Sequence, residues 1–129
     1  MVLRWIGVEA ALAIHEEQLV EHGGAPGVRD MGLLASALAR PRNLEAYGSP
    51  DLADLAATYA AGIARNHPFL DGNKRTAWVV SETFLLLNKA TLLITDEAAY
   101  DAMIKLAAGR IDQRRFAALL RSTLKPRRR

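Results

Sequence analysis

Cysteine is absent from the 129 residues. That excludes disulfides, thiolate zinc sites, iron–sulfur clusters and cysteine nucleophiles. Long apolar runs are missing too, since none reaches the roughly 18 residues needed to cross a bilayer. The start, Met1 to Ala13, imitates an export signal through Arg4, an apolar run and Ala11-Leu12-Ala13. Glu9 interrupts that run, well short of the usual apolar core of about 7–15 residues. The expectation is a cytoplasmic protein without export signal or membrane span. β-branched residues are scarce, with 18 Val, Ile and Thr together against 23 Ala and 19 Leu. Ala and Leu lose little entropy in a helix and β-branched residues lose more, so helices are favoured over sheet. A basic fold is also lacking. The net charge of +3 comes from Lys125, Arg127, Arg128 and Arg129, and the remainder has 13 basic against 14 acidic residues. A nucleic-acid face is therefore not expected.

What is present fits one packed domain, with 50% hydrophobic residues in a chain of this length. Val8 to His22 reads as a helix with Val8, Leu12, His15 and Leu19 on one stripe, closed by Gly23-Gly24. A short helix is expected from Met31, capped by Asp30 and ending before Pro41. Ser49-Pro50-Asp51 opens the next, whose alanines allow a neighbour to approach closely. Asn73 to Asn88 is apolar nearly all round, the pattern of a helix at the centre of a bundle. Thr95-Asp96-Glu97 caps a helix facing inward through Tyr100, Met103, Ile104 and Ala107, and Asp112 starts the last one. Thr91 to Ile94 is a candidate extended piece. The fold class is all-α: one domain of about six helices around a central apolar helix, residues 1–124, followed by a disordered basic tail, 125–129.

The chemistry concentrates between Arg65 and Thr76. Four unpaired amides point out of a helix start, and its dipole attracts anions. Gly72 lets backbone approach a ligand, Lys74 and Arg75 add full charges, and Asp71 is a hard oxygen donor of the kind Mg²⁺ uses. His67 stands where it could take a proton from an attacking hydroxyl. The spacing is not a Walker A loop and lacks kinase signatures. These residues alone describe a phosphate or nucleotide site at a helix start, with a histidine beside it. Asp71 is open to two roles, helix cap or metal ligand, and Arg65 to two, helix-end charge or phosphate contact. His15 and His22 read as helix-face residues.

His67-Pro68-Phe69-Leu70-Asp71-Gly72-Asn73-Lys74-Arg75 resembles the Fic/Doc (Fido) family signature, His-x-Phe-x-Asp/Glu-Gly-Asn-Gly/Lys-Arg. Upstream, His22-Gly23-Gly24-Ala25-Pro26-Gly27, Leu38-Ala39-Arg40-Pro41 and Asp54-Leu55-Ala56-Ala57 look like stretches of stand-alone Doc (death-on-curing) toxins. The resemblance covers roughly residues 6–121. It implies a helical Fido fold and transfer of a phosphate-containing group from ATP to a protein hydroxyl. It implies that His67 activates the hydroxyl, that Asp71 holds Mg²⁺, that Gly72, Asn73, Lys74 and Arg75 hold the nucleotide phosphates, and that Phe69 anchors the loop. Lys74 departs from ordinary Fic enzymes, which carry glycine there. Doc proteins share the lysine, bind the nucleotide reversed and transfer the γ-phosphate. Gly72 follows the Fic pattern instead, where the founding Doc pattern has alanine.

The implied function is a toxin of a toxin–antitoxin pair, phosphorylating a Ser or Thr of a protein target, elongation factor Tu, and so blocking translation. The alternatives are a Fic-like AMP transferase and a non-catalytic Fido binding module. Intact His67, Asp71, Asn73 and Arg75 weigh against the last. No Ser or Thr has Glu four residues on, so the chain lacks the Fic inhibitory motif. Inhibition is expected from a second chain, an antitoxin whose disordered C-terminal segment folds into an apolar groove.

Overall fold

Cap chemistry sets where most of the helices begin. The computed structural model describes residues 2–126. Its elements are α1 (Val8–His22), α2 (Met31–Tyr47), α3 (Leu52–Asn66), α4 (Asn73–Leu87), β1 (Ala90–Leu92), α5 (Asp96–Ala107), α6 (Gln113–Thr123) and β2 (Leu124–Pro126). Asp30, Thr95 and Asp112 each accept the backbone N–H three residues on, at 2.9, 3.1 and 2.8 Å, and so open α2, α5 and α6. The all-α expectation of six helices is met. No helix among the described residues is long and apolar enough to cross a membrane.

Three expectations about helix bounds and faces are corrected. α3 opens at Asp51, not Ser49: Asp51 accepts from Asp54 N at 2.8 Å, and Asp54 accepts from Asp51 N at 3.0 Å. This reciprocal pair satisfies two orphan amides where a lone serine would satisfy one. Second, α2 runs through a buried Pro41 to Tyr47. A mid-helix proline costs about 3 kcal/mol. Burial of the ring, Leu44 packed on the core and the Arg42 guanidinium 5.4 Å over the Trp5 ring offset that cost. Third, Tyr100 does not face inward but is 71% exposed. The buried stripe of α5 is Ala99, Ala102, Met103 and Leu106, one residue round from the one expected.

α3 is the innermost helix, buried at every residue from Leu55 to Ala64. α4, expected at the centre, lies beside it, burying Ala77, Val80, Phe84 and Leu85 and leaving Leu86 and Leu87 partly exposed. Small residues let α2 close on α3. A Cβ at Gly62 would sit 3.2 Å from Ala37 Cβ and 3.3 Å from its Cα. The extended piece anticipated near Thr91 is β1, antiparallel to β2, with Thr91 opposite Lys125 and Ala90 opposite Pro126. Lys125 and Pro126, assigned above to a disordered tail, are thus paired in a strand. Arg127, Arg128 and Arg129 lie outside the described residues. Together α1, α3 and α5 bracket the first turns of α4, where the informative segment lies.

Candidate active site

The loop between α3 and α4 is held from several sides. His67 caps the C-terminus of α3 in the left-handed region, φ 49°, with its N–H on Ile63 O at 3.2 Å. The Arg29 guanidinium donates to the two carbonyls at this end, through Nε to His67 O at 2.7 Å and Nη2 to Asn66 O at 2.8 Å. A cation at a helix C-terminus is favourably placed against the dipole. Strand-like contacts bind the next residues: Arg29 N and Asp30 N donate to Pro68 O, and Leu70 N donates to Gly27 O at 3.1 Å. Phe69 is buried, its ring stacked on His15 with centroids 3.8 Å apart and planes 6° apart. The Asn73 carboxamide closes the loop from within. Its Oδ1 accepts from Phe69 N at 3.0 Å, its Nδ2 donates to Phe69 O at 2.9 Å, and the same nitrogen lies 3.3 Å from His67 Nδ1.

Asp71 and Gly72 then turn the chain into α4. Asp71 is exposed, and its carboxylate accepts from Ala25 N at 3.2 Å and Gly72 N at 2.8 Å. Those two amide bonds, Ala25 first, hold its carboxyl below the usual carboxylate range, with the Arg75 charge adding to them. Gly72 has φ 75° and makes no side-chain cap. Across this turn the first backbone bond of the helix is Thr76 N to Gly72 O, 3.0 Å. The N–H groups of Asn73, Lys74 and Arg75 therefore have no partner among the described residues. Lys74 and Arg75 are exposed and make no ion pair among the described residues. A row of free amides, a dipole and two cations without an ion pair among the described residues give this corner the chemistry that suits an anion.

This corner opens into a cleft of about 740 Å³ between α1, α4 and α5. Asp71, Gly72, Asn73, Lys74 and Arg75 line one end, and Trp78, Met103 and Glu82 line its length. Burial pushes the Glu82 carboxyl up, and Asp96 pushes it further. His67 is not a wall of the cleft but is joined to it through Asn73. Arg65 lines a separate depression beside Asp112 and Arg114, away from the start of α4, and sits in the last turn of α3 as a helix-end charge. The described residues contain no group of three or more metal-ligating side chains. They do offer the exposed Asp71 carboxylate, held low by its amide bonds, beside the free amides of α4. That suits Mg²⁺, which commonly binds through one or two carboxylates, substrate phosphates and water.

Two residues escaped the sequence reading. His15, taken as a helix-face residue, is buried, and its Nε2 lies 2.8 Å from Asp71 O. The clue was present: a polar ring on the Val8-Leu12-Leu19 stripe of α1 needs a partner once buried. Arg29 left no clue, because its partners lie 37 and 38 residues away.

A sequence model of the Fic/DOC family matches residues 5–85. The chain is 41% identical over 107 residues to Toxin Doc of Mycolicibacterium smegmatis (strain ATCC 700084 / mc(2)155), covering 78% of this chain and 81% of that one. It is 34% identical over 120 residues to Protein kinase doc of Escherichia phage P1, covering 92% and 94% respectively. With the anion corner, the loop histidine and the signature on one frame, and matches spanning most of both relatives, the chain belongs to the Fic/DOC family.

Proposed function

We propose that this protein is a Doc-like toxin that transfers the γ-phosphoryl group of ATP to a Ser or Thr hydroxyl of a protein target. One observation carries the reading: the free amides of Asn73, Lys74 and Arg75, with two unpaired cations, stand beside an ionised Asp71 and are joined to His67 through Asn73. A relative named as a protein kinase supports phosphoryl over nucleotidyl transfer.

In the proposed reaction the target hydroxyl oxygen attacks the γ-phosphorus. The bond from that phosphorus to the oxygen shared with the β-phosphate breaks, ADP leaves, and the hydroxyl proton passes to a ring nitrogen of His67. The ring has Nε2 free of partners among the described residues; Nδ1 faces Asn73. Phosphoryl transfer needs in-line placement and cations at the developing charge more than covalent help. The α4 amides, Lys74 and Arg75 serve the second need. Asp71 would hold Mg²⁺, which would neutralise phosphate charge. Lys74 fills space that glycine would leave open and places a compact charge where terminal phosphates are held.

The rest of the reading follows the family resemblance. The target is elongation factor Tu, the consequence is arrest of translation, the site of action is the cytoplasm, and the inhibitor is an antitoxin with a disordered C-terminal segment. Incubation with elongation factor Tu and ATP labelled at the γ- or the α-phosphate tests the scheme. Label transferred from the γ position alone supports it. Label from the α position replaces it with AMP transfer, and none from either points to a binding module.

A further inference from the structure

His15 makes two contacts that an ordinary helix-face residue has no need of. It sits mid-way along α1, is 3% exposed, and lays its ring flat on Phe69. Its edge is aimed at the loop, with Nε2 2.8 Å from Asp71 O. A carbonyl oxygen only accepts, so Nε2 carries the hydrogen and donates. The peptide unit whose oxygen it holds is the one whose other end is Gly72 N–H, the donor to Asp71 Oδ1 at 2.8 Å. A peptide unit is planar, so fixing its carbonyl also fixes the direction of its N–H. Rotation of that plane would pull Gly72 N–H away from the Asp71 carboxylate and alter the glycine φ from which the free amides of α4 begin.

We propose that His15 is a positioning residue. Through Nε2–H on the Asp71 carbonyl it fixes the Asp71–Gly72 peptide, and so sets how the Asp71 carboxylate and the α4 amides face a bound Mg²⁺·ATP. This rests on the proposed function, which supplies that ligand. The Phe69 stack secures the ring. The two contacts are separable by substitution. His15→Phe keeps a flat ring against Phe69 and removes the donor. His15→Gln gives up the stack and keeps an N–H donor at comparable reach.

The experiment compares the parent with both variants by calorimetry of Mg²⁺·ATP binding, by the Gly72 amide resonance without ligand, and by thermal melts. The parent binds Mg²⁺·ATP. His15→Phe folds, shifts the Gly72 resonance, raises the Mg²⁺ concentration for half-saturation and weakens binding about tenfold, as the loss of one hydrogen bond implies. His15→Gln returns the resonance towards the parent's and recovers most of the affinity. Parental affinity with an unmoved Gly72 resonance in His15→Phe overturns the inference, as does a Gln variant no better than the Phe variant. Should His15→Phe fail to fold, His15→Gln decides alone: near-parental binding supports the donor role and a tenfold loss overturns it. A parent that binds no Mg²⁺·ATP overturns the proposed function and this inference together. A parent that binds beside an equally competent His15→Phe overturns the inference alone.

Discussion

The Asn73 Nδ2 atom lies 3.3 Å from His67 Nδ1 while donating to Phe69 O at 2.9 Å, so a single buried carboxamide joins the loop histidine to the first residue of the anion corner. Asn73→Ala leaves both the N–H and the C=O of a buried Phe69 unpartnered, and an unsatisfied buried group costs about 1–3 kcal/mol. The variant is expected to melt several degrees lower and to lose more transfer activity than its stability loss accounts for. Thermal melts, with transfer assayed well below the lowered melting temperature, check both.

His67 has separate demands as a backbone position and as a side chain. His67→Ala is expected to retain the helical circular dichroism of the parent and to lose roughly 10²–10⁴ in transfer rate. The residue has φ 49°, a region that costs a residue bearing Cβ about 1–2 kcal/mol. His67→Gly should therefore be inactive and yet more stable than His67→Ala. A transfer rate equal to the parent's in either variant removes His67 from the chemistry.

Gly72→Ala separates strain from collision. A Cβ there would meet Leu19 Cδ2 at 3.6 Å and His15 at 3.8 Å, ordinary contact distances. The cost is therefore the positive φ of 75°, about 1–2 kcal/mol. A lower melting temperature with phosphoryl transfer retained is the expected outcome. A switch in the group transferred would show that this residue selects the reaction.

Cap chemistry and apolar stripes are local, and they placed α1 and the starts of α2, α5 and α6 from sequence. The errors differ in cause. Pro41 breaks an isolated helix, but burial of its ring and the stacking of Arg42 on Trp5 lie outside any local window. Ser49 and Asp51 are both good caps, and the reciprocal bonds of Asp51 with Asp54, three residues on, were a local signal that the Ser-Pro-Asp string overshadowed. The signature segment was legible because its glycine, acid and cations are contiguous. Its supports were not, since His15 and Arg29 reach it from other elements.

Acid should act on the start of α3. Arg121 donates to Asp51 at 2.6 and 3.1 Å and, as the largest influence, holds its carboxyl down at about 2. The folded value lies below the ordinary 3.8, so this contribution is complete above about pH 4 and is lost as pH falls towards 2. Asp51→Asn keeps a capping side chain and removes the charge. Because the pair is exposed, the difference at pH 7 should be at most about 1 kcal/mol. Melting curves of parent and variant from pH 7 to 2 should converge below pH 4, and a constant gap would show that the ion pair contributes nothing.

Lys74 stands at an exposed position on the first turn of α4, in the corner where the helix amides are free, the place proposed to hold terminal phosphates for transfer. Intact-mass and peptide mass spectrometry of elongation factor Tu after incubation with this protein, ATP and Mg²⁺ tests it most directly. A gain of one phosphate on a Ser or Thr, absent with His67→Ala, is the expected result. A gain of AMP at that hydroxyl would contradict it.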